Sequence, residues 1–103
     1  MRVELHRDAQ AEIRDAATWY DERRIGLGSE FVSEVMGVLA QIGEAPLLFP
    51  PWPGMSMREP MIRRAVVQRF PHLVAFEIHE PHIFVLAIAH AKRRPLYWLE
   101  RAY

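Results

Sequence analysis

The densest group of chemically capable side chains lies near the C-terminus. There His90, Lys92, Arg93, Arg94, Tyr97, Trp98 and Arg101 follow an unbroken apolar run at positions 83–89. The end of a buried strand fixes geometry while the loop after it exposes side chains. Arg63, Arg64 and Arg69, on the strand-like segments before it, would lie across the same face. A histidine to move a proton, several guanidinium groups to stabilise a pentavalent phosphate and a tyrosine to orient it suffice to cleave RNA through its 2′-hydroxyl. In that reading the catalytic set is Arg69, His90, Arg93 and Tyr97. In the alternative, the arginines line a solvated edge and His90 hydrogen-bonds a loop. Spacing alone leaves both open.

Other candidates are weaker. His79 and His82 flank a turn as His-Glu-Pro-His, but a tight turn is expected to point them apart, and no third ligand is near enough in sequence for a metal site. Trp19-Tyr20 ends a helical segment, with Tyr20 on its core stripe and Trp19 at the stripe's edge; core packing is the expectation for both. Trp52, Met55 and Met57 lie in a proline-rich loop and would either cap the core or anchor a partner peptide. The chain has no Gly-rich phosphate loop, nucleophile elbow or HExxH. It has no cysteine, which excludes disulfides and thiolate chemistry and suits a reducing cytosol. No cofactor is called for.

Hydrophobic periodicity gives the elements that must hold these residues. Val3 and Leu5 alternate with polar neighbours over 2–6, a short strand. Asp8 is the expected N-cap of a helix whose apolar stripe is Ala9, Ile13, Ala16, Ala17 and Tyr20, with Glu12, Arg14 and Asp15 on the outer face. Gly26 and Gly28 break it. A second helix carries Leu27, Phe31, Val35, Val38, Leu39 and Ile42 at helical spacing; Ser29 or Gly28 would open it and Pro46 must close it. Gly37 in its interior is tolerable if another element approaches closely there. A linker this short predicts an antiparallel helix hairpin.

Residues 46–60 hold five of the eight prolines and form a stiff, irregular loop. Strands are then predicted over 62–69, 73–79 and 83–89. The last, apolar at every position, is expected in the centre of the sheet with the other two flanking it. Pro95 would begin a last short helical turn. The fold class is therefore α+β, in the order β-α-α-β-β-β: a helix hairpin on a small, mostly antiparallel sheet with a short C-terminal helical tail.

The 103 residues fit one domain, 1–103. Half are apolar and a quarter charged, an ordinary globular composition. No apolar run approaches bilayer length and no signal-peptide stretch opens the chain, so no membrane partner and a cytoplasmic location are expected. The 13 basic residues match 13 acidic ones, which gives no broad field for holding a polyanion. The charge is uneven, however. The first fifty residues carry five Arg against nine acidic residues, and the rest carry eight basic against four. Twelve of the 13 cations are Arg, a residue whose planar fork suits a defined anionic partner.

Taken in order along the chain, these segments resemble the RelE/ParE superfamily of small toxins from bacterial type II toxin–antitoxin systems. The matching segments are Ala9 to Tyr20 with its Trp-Tyr ending, Leu27-Gly28-Ser29-Glu30-Phe31, Ala45-Pro46 with Pro50, Arg63-Arg64 through Arg69-Phe70-Pro71, and Ile83 to His90 followed by Arg93-Arg94-Pro95 and Tyr97-Trp98. The resemblance implies a toxin neutralised by a cognate antitoxin whose flexible segment wraps it, with operator DNA reached only through the antitoxin. RelE-like members are messenger-RNA endonucleases that often act on the ribosome; ParE-like members poison DNA gyrase and have no nuclease site.

Zero net charge, a single Lys, and Trp52, Met55, Met57 and Glu59 where a lysine-rich nuclease would be basic all favour the ParE-like reading and a protein that is not an enzyme. The alternatives are a RelE-like nuclease using Arg69, His90, Arg93 and Tyr97, and a non-toxic module that only binds antitoxin. An acidic, amphipathic antitoxin segment would pair with Arg63, Arg64, Arg69, Arg93 and Arg94 and lay apolar side chains on Trp52, Met55 and Met57.

Overall fold

The computed structural model describes residues 1–102. The elements run β1 (Arg2–Leu5), α1 (Arg7–Arg23), α2 (Leu27–Glu44), a 3-10 turn (Pro46–Leu48), β2 (Ile62–Val66), β3 (His72–His79), β4 (His82–His90) and a final 3-10 turn (Leu99–Arg101). The strands form one sheet in the order β1-β4-β3-β2. Only the β1–β4 pair is parallel; the other two pairs are antiparallel hairpins. This is the expected α+β architecture, with one change in strand order. The apolar run of β4 is internal, but its neighbours are β1 and β3, and β2 lies beyond β3 at the far edge. Two successive hairpins force β2 away from β4, which leaves the other side of β4 to the N-terminal strand.

The helix boundaries follow local chemistry. α1 is capped by His6, whose Nδ1 accepts the Asp8 N–H at 3.0 Å. The imidazole takes the capping role expected of Asp8, which falls in the first turn instead. α2 begins at Leu27, directly after Gly26 turns the chain with φ 92°. Gly28 is where the helices approach: a Cβ there would collide with the Ala17 carbonyl oxygen, and its N–H donates to Asp21 Oδ1 at 2.8 Å. No such approach occurs at Gly37, where a Cβ would find nothing within 4 Å. β2 ends earlier than predicted because Arg69 takes a left-handed conformation (φ 71°) that turns the chain into β3.

The sheet is covered on both sides. On the helix side Phe31, Val35 and Ile42 pack with Val74, Phe76, Ile83 and Val85. On the other side Ile62, Ala75, Leu86, Ala87 and Ala89 lie under Trp98, with Trp52, Met55 and Leu96 packed around them. Trp52 meets Trp98 edge-on at 4.9 Å, so the proline-rich loop and the C-terminal tail form the second cover together. The buried Glu77 beneath this cover holds Arg58 of the loop at 2.8 Å. His79 and His82, expected to point apart, are direct cross-strand partners. They face different carboxylates, Glu77 at 3.3 Å and Glu4 at 3.7 Å respectively. Among the described residues no helix is long and apolar enough to cross a membrane.

Candidate functional site

The site arises from a mismatch in strand length. β1 runs beside β4 only as far as the Leu5–Val85 pair, after which the His6 N–H donates to the Val85 carbonyl at 2.9 Å. From Leu86 to His90, β4 has β3 on one side and no strand on the other. An open strand edge leaves backbone donors and acceptors without ladder partners. Two side chains substitute for the missing strand. The Arg101 Nη1 donates to the Leu86 carbonyl at 3.0 Å, and the Ile88 N–H donates to Glu12 Oε1 at 2.9 Å.

Glu12 is the hub of this arrangement. Its carboxylate also accepts the Tyr97 hydroxyl at 2.5 Å and both terminal nitrogens of Arg101 at 3.2 and 3.1 Å. The Glu12 and Arg101 side chains are each only 13% exposed. One carboxylate thus ties together α1, β4 and the C-terminal tail.

Next to this hub is a cleft of about 310 Å³. α1 supplies Asp15, Ala16, Trp19 and Tyr20; the ends of β3 and β4 supply His72, Ile88 and His90; the tail supplies Arg93 and Tyr97. His72 is buried, with its Nε2 3.1 Å from the Tyr20 hydroxyl and no hydrogen-bond partner for Nδ1 among the described residues. Burial, followed by the nearby His90 ring (5.1 Å between centroids), pushes the His72 pKa down to about 4. It is therefore neutral at pH 7. Burial, and then the bond to Glu12, raise the Tyr97 pKa well above the usual phenol value, so Tyr97 is a fixed neutral donor. The Arg93 guanidinium lies 3.9 Å from the Tyr97 ring centroid, and His90 Nδ1 accepts the Lys92 N–H at 3.1 Å.

This electrostatic pattern suits phosphate chemistry poorly. Two carboxylates, Glu12 and Asp15, line the cleft against one lining guanidinium, that of Arg93. Arg101 is committed to Glu12. A pentavalent phosphate needs several cations aimed at its oxygens, and a carboxylate on the same wall opposes it.

Of the four residues in the catalytic set, His90, Arg93 and Tyr97 meet in the cleft. Arg69 does not line it: its guanidinium holds Glu30 at 2.6 Å, on a carboxylate that also takes Arg24 at 3.1 Å. Nor do the five arginines share one surface. Arg63 and Arg64 are neighbours on β2 and so project to opposite faces. Arg63 turns to the Phe49 carbonyl at 2.7 Å, while Arg93 and Arg94 lie exposed in the tail. Trp52 and Met55 cap the second core, and only Met57 of that trio stands in solvent, at 95% exposure. Trp19 is not core either. It is half exposed on the cleft rim, with Arg23 stacked 3.5 Å from its ring.

Glu12, Asp15 and His72 belong to the site although sequence alone does not single them out. Periodicity places Glu12 and Asp15 on the outer face of α1, yet Asp8, Glu12, Asp15 and Trp19 follow at i, i+4, i+7 and i+11 and form a second stripe beside the apolar one. That spacing is the signal by which they could be found.

No family model matches the sequence, and no curated protein matches it. Solved structures do match. One is described as "Chromosomal ParDE TA system from P. aeruginosa"; the similarity covers 89% of this chain and 97% of that chain, with a TM-score of 0.75 and 16% identity. At that identity the likeness is one of fold. The chain has the fold of a component of a ParDE toxin–antitoxin system.

Proposed function

We propose that the protein is the toxin of a type II toxin–antitoxin system, acts in the ParE manner by inhibiting DNA gyrase, and is neutralised by a cognate acidic antitoxin in the cytoplasm. The fold likeness supports the toxin–antitoxin part. The observation that carries the choice of target is the cleft's own charge: the Glu12 carboxylate stands where a nuclease would need cations, and Arg101 and Tyr97 are spent on it. A protein-binding poison needs no such cations. The antitoxin's acidic segment meets Arg93 and Arg94, which are exposed, and Met57 offers an apolar foothold on the proline-rich loop.

The competing reading is a messenger-RNA endonuclease, favoured by the meeting of His90, Arg93 and Tyr97 in one cleft. Expression in cells separates the two. Gyrase inhibition gives a DNA-damage response and relaxed plasmid with intact transcripts, and the His90→Ala variant stays toxic. Cleaved transcripts with intact DNA, abolished by His90→Ala, overturn the proposal. No growth defect points to a non-toxic antitoxin-binding module.

A further inference from the structure

The two outer edges of the sheet are finished differently. Beyond β2 the proline-rich loop adds a bridge: Pro51 pairs with Arg63, the Arg64 N–H donates to the Pro50 carbonyl at 2.9 Å, and the Trp52 N–H donates to the Ile62 carbonyl at 2.8 Å. Beyond β1 no strand or bridge follows among the described residues. The N–H and C=O of one strand residue point to the same side, and that side alternates along the strand. The His6 N–H bonds to the Val85 carbonyl, so Arg2, Glu4 and His6 face β4 while Val3 and Leu5 turn their backbone groups outward. The Leu5 carbonyl takes a long bond from Gln10 Nε2 at 3.5 Å; the two Val3 groups have no partner among the described residues. Such an edge is a template for another strand. Above it, between β1 and α2, lies an apolar groove of about 540 Å³ lined by Met1, Val3, Leu5, Met36, Leu39 and Gly43. Met1 and Met36 are each about half exposed there.

The residues of β1 specify the occupant, because the strand is complementary to itself. Val3 and Leu5 pack toward the helix side, and Arg2 and Glu4 stand on the other face with side chains 75% and 43% exposed. We propose that two copies of this chain associate through their β1 edges, antiparallel about a two-fold axis at Val3. The two Val3 residues then exchange both backbone hydrogen bonds. Arg2 of each copy stands opposite Glu4 of the other as a non-hydrogen-bonded pair, the kind that brings side chains closest. On the helix side Met1 meets Leu5 of the other copy, and the two grooves join beneath Met36. Charge and backbone direction together fix this register. A shift of two residues sets Glu4 against Glu4 or Arg2 against Arg2, and a shift of one sets outward backbone groups against inward ones. The contact is isologous and closes at two copies. It joins two four-stranded sheets into one of eight strands with both helix layers on the same side. This self-association is independent of which target the protein acts on.

Sedimentation equilibrium of the full chain, from about 1 μM to about 1 mM, tests this. The apparent mass is expected to rise with concentration from 12.0 kDa toward twice that value. Glu4→Arg alone, or Arg2→Glu alone, places two like-charge pairs across the axis and should weaken the dimer about tenfold or more. The double change Arg2→Glu with Glu4→Arg restores opposite charges and should return the dissociation constant to within about threefold of the original. Val3→Pro removes an N–H that the sheet of one copy does not use, so it should abolish the dimer; circular dichroism checks that the chain stays folded. A chain that is monomeric throughout this range overturns the inference. So does a dimer whose dissociation constant is unmoved by the single charge reversals, or one that the double change weakens further instead of restoring.

Discussion

Replacing Glu12 by Ala removes the acceptor of four hydrogen bonds at once. It leaves the Ile88 N–H without a partner and strands the Arg101 guanidinium, 13% exposed, with only the Leu86 carbonyl and a distant Asp8 at 3.8 Å. Breaking a buried ion pair from one side costs about 3–5 kcal/mol, and residual solvent contact puts this case near the lower end. An expected loss of about 3 kcal/mol corresponds to a fall of roughly 12–24 °C in Tm for a domain of this size. Glu12→Gln keeps an acceptor for Ile88 but turns an amide N–H toward the guanidinium, and should cost roughly half as much.

The decisive comparison is the double variant. Arg101→Met added to Glu12→Ala removes the stranded charge, so the pair should cost about 1–3 kcal/mol less than the sum of the two single changes. Urea unfolding followed by circular dichroism at pH 7 measures all four proteins. A Glu12→Ala loss below about 1 kcal/mol, or strict additivity with Arg101→Met, would refute the role assigned to this carboxylate.

The remaining predictions concern pH and backbone. His72 titrates near pH 4 in the folded chain against 6.5 ordinarily, so between those values the unfolded chain binds more protons. Its stabilising effect is intact above about pH 6.5 and is lost progressively as pH falls toward 4, by up to about 3 kcal/mol. His72→Gln, which keeps a group for Tyr20, should flatten that part of the urea-midpoint profile, and an unchanged slope would be evidence against a buried neutral imidazole. Gly37→Ala should stabilise by about 0.5–1 kcal/mol because the site is open and helical. Gly28→Ala should destabilise by about 1–3 kcal/mol because its methyl meets the Ala17 carbonyl. In thermal melts, a Gly28→Ala variant whose Tm is unchanged or raised would contradict the close approach of the helices at Gly28, and a lowered Tm for Gly37→Ala would contradict the open site there.

The helices were legible because an apolar stripe repeats every 3.6 residues whatever lies against it, as Phe31, Val35, Val38 and Ile42 illustrate. The central place of β4 was legible from its unbroken apolar run. The neighbour on its other side was not, since the four residues of β1 do not encode which edge they join. Glu12 was hidden for a related reason. Its partners Ile88, Tyr97 and Arg101 are 76 to 89 residues away, and helical periodicity tells only that Glu12 is off the main stripe. Trp52 and Met55 gave no sign of which side of the sheet they cover, because a proline-rich loop has no period. The separation of Arg63 from Arg64 was readable from strand alternation alone.

The proposal to be tested is that this protein inhibits DNA gyrase and does not cleave messenger RNA. A supercoiling assay with purified DNA gyrase, the purified protein and relaxed plasmid, run beside an incubation with messenger RNA on ribosomes, tests it most directly. The expected result is loss of supercoiling, recovery when the antitoxin is added, and intact RNA. Unimpaired supercoiling together with RNA cleaved in a His90-dependent way would contradict it.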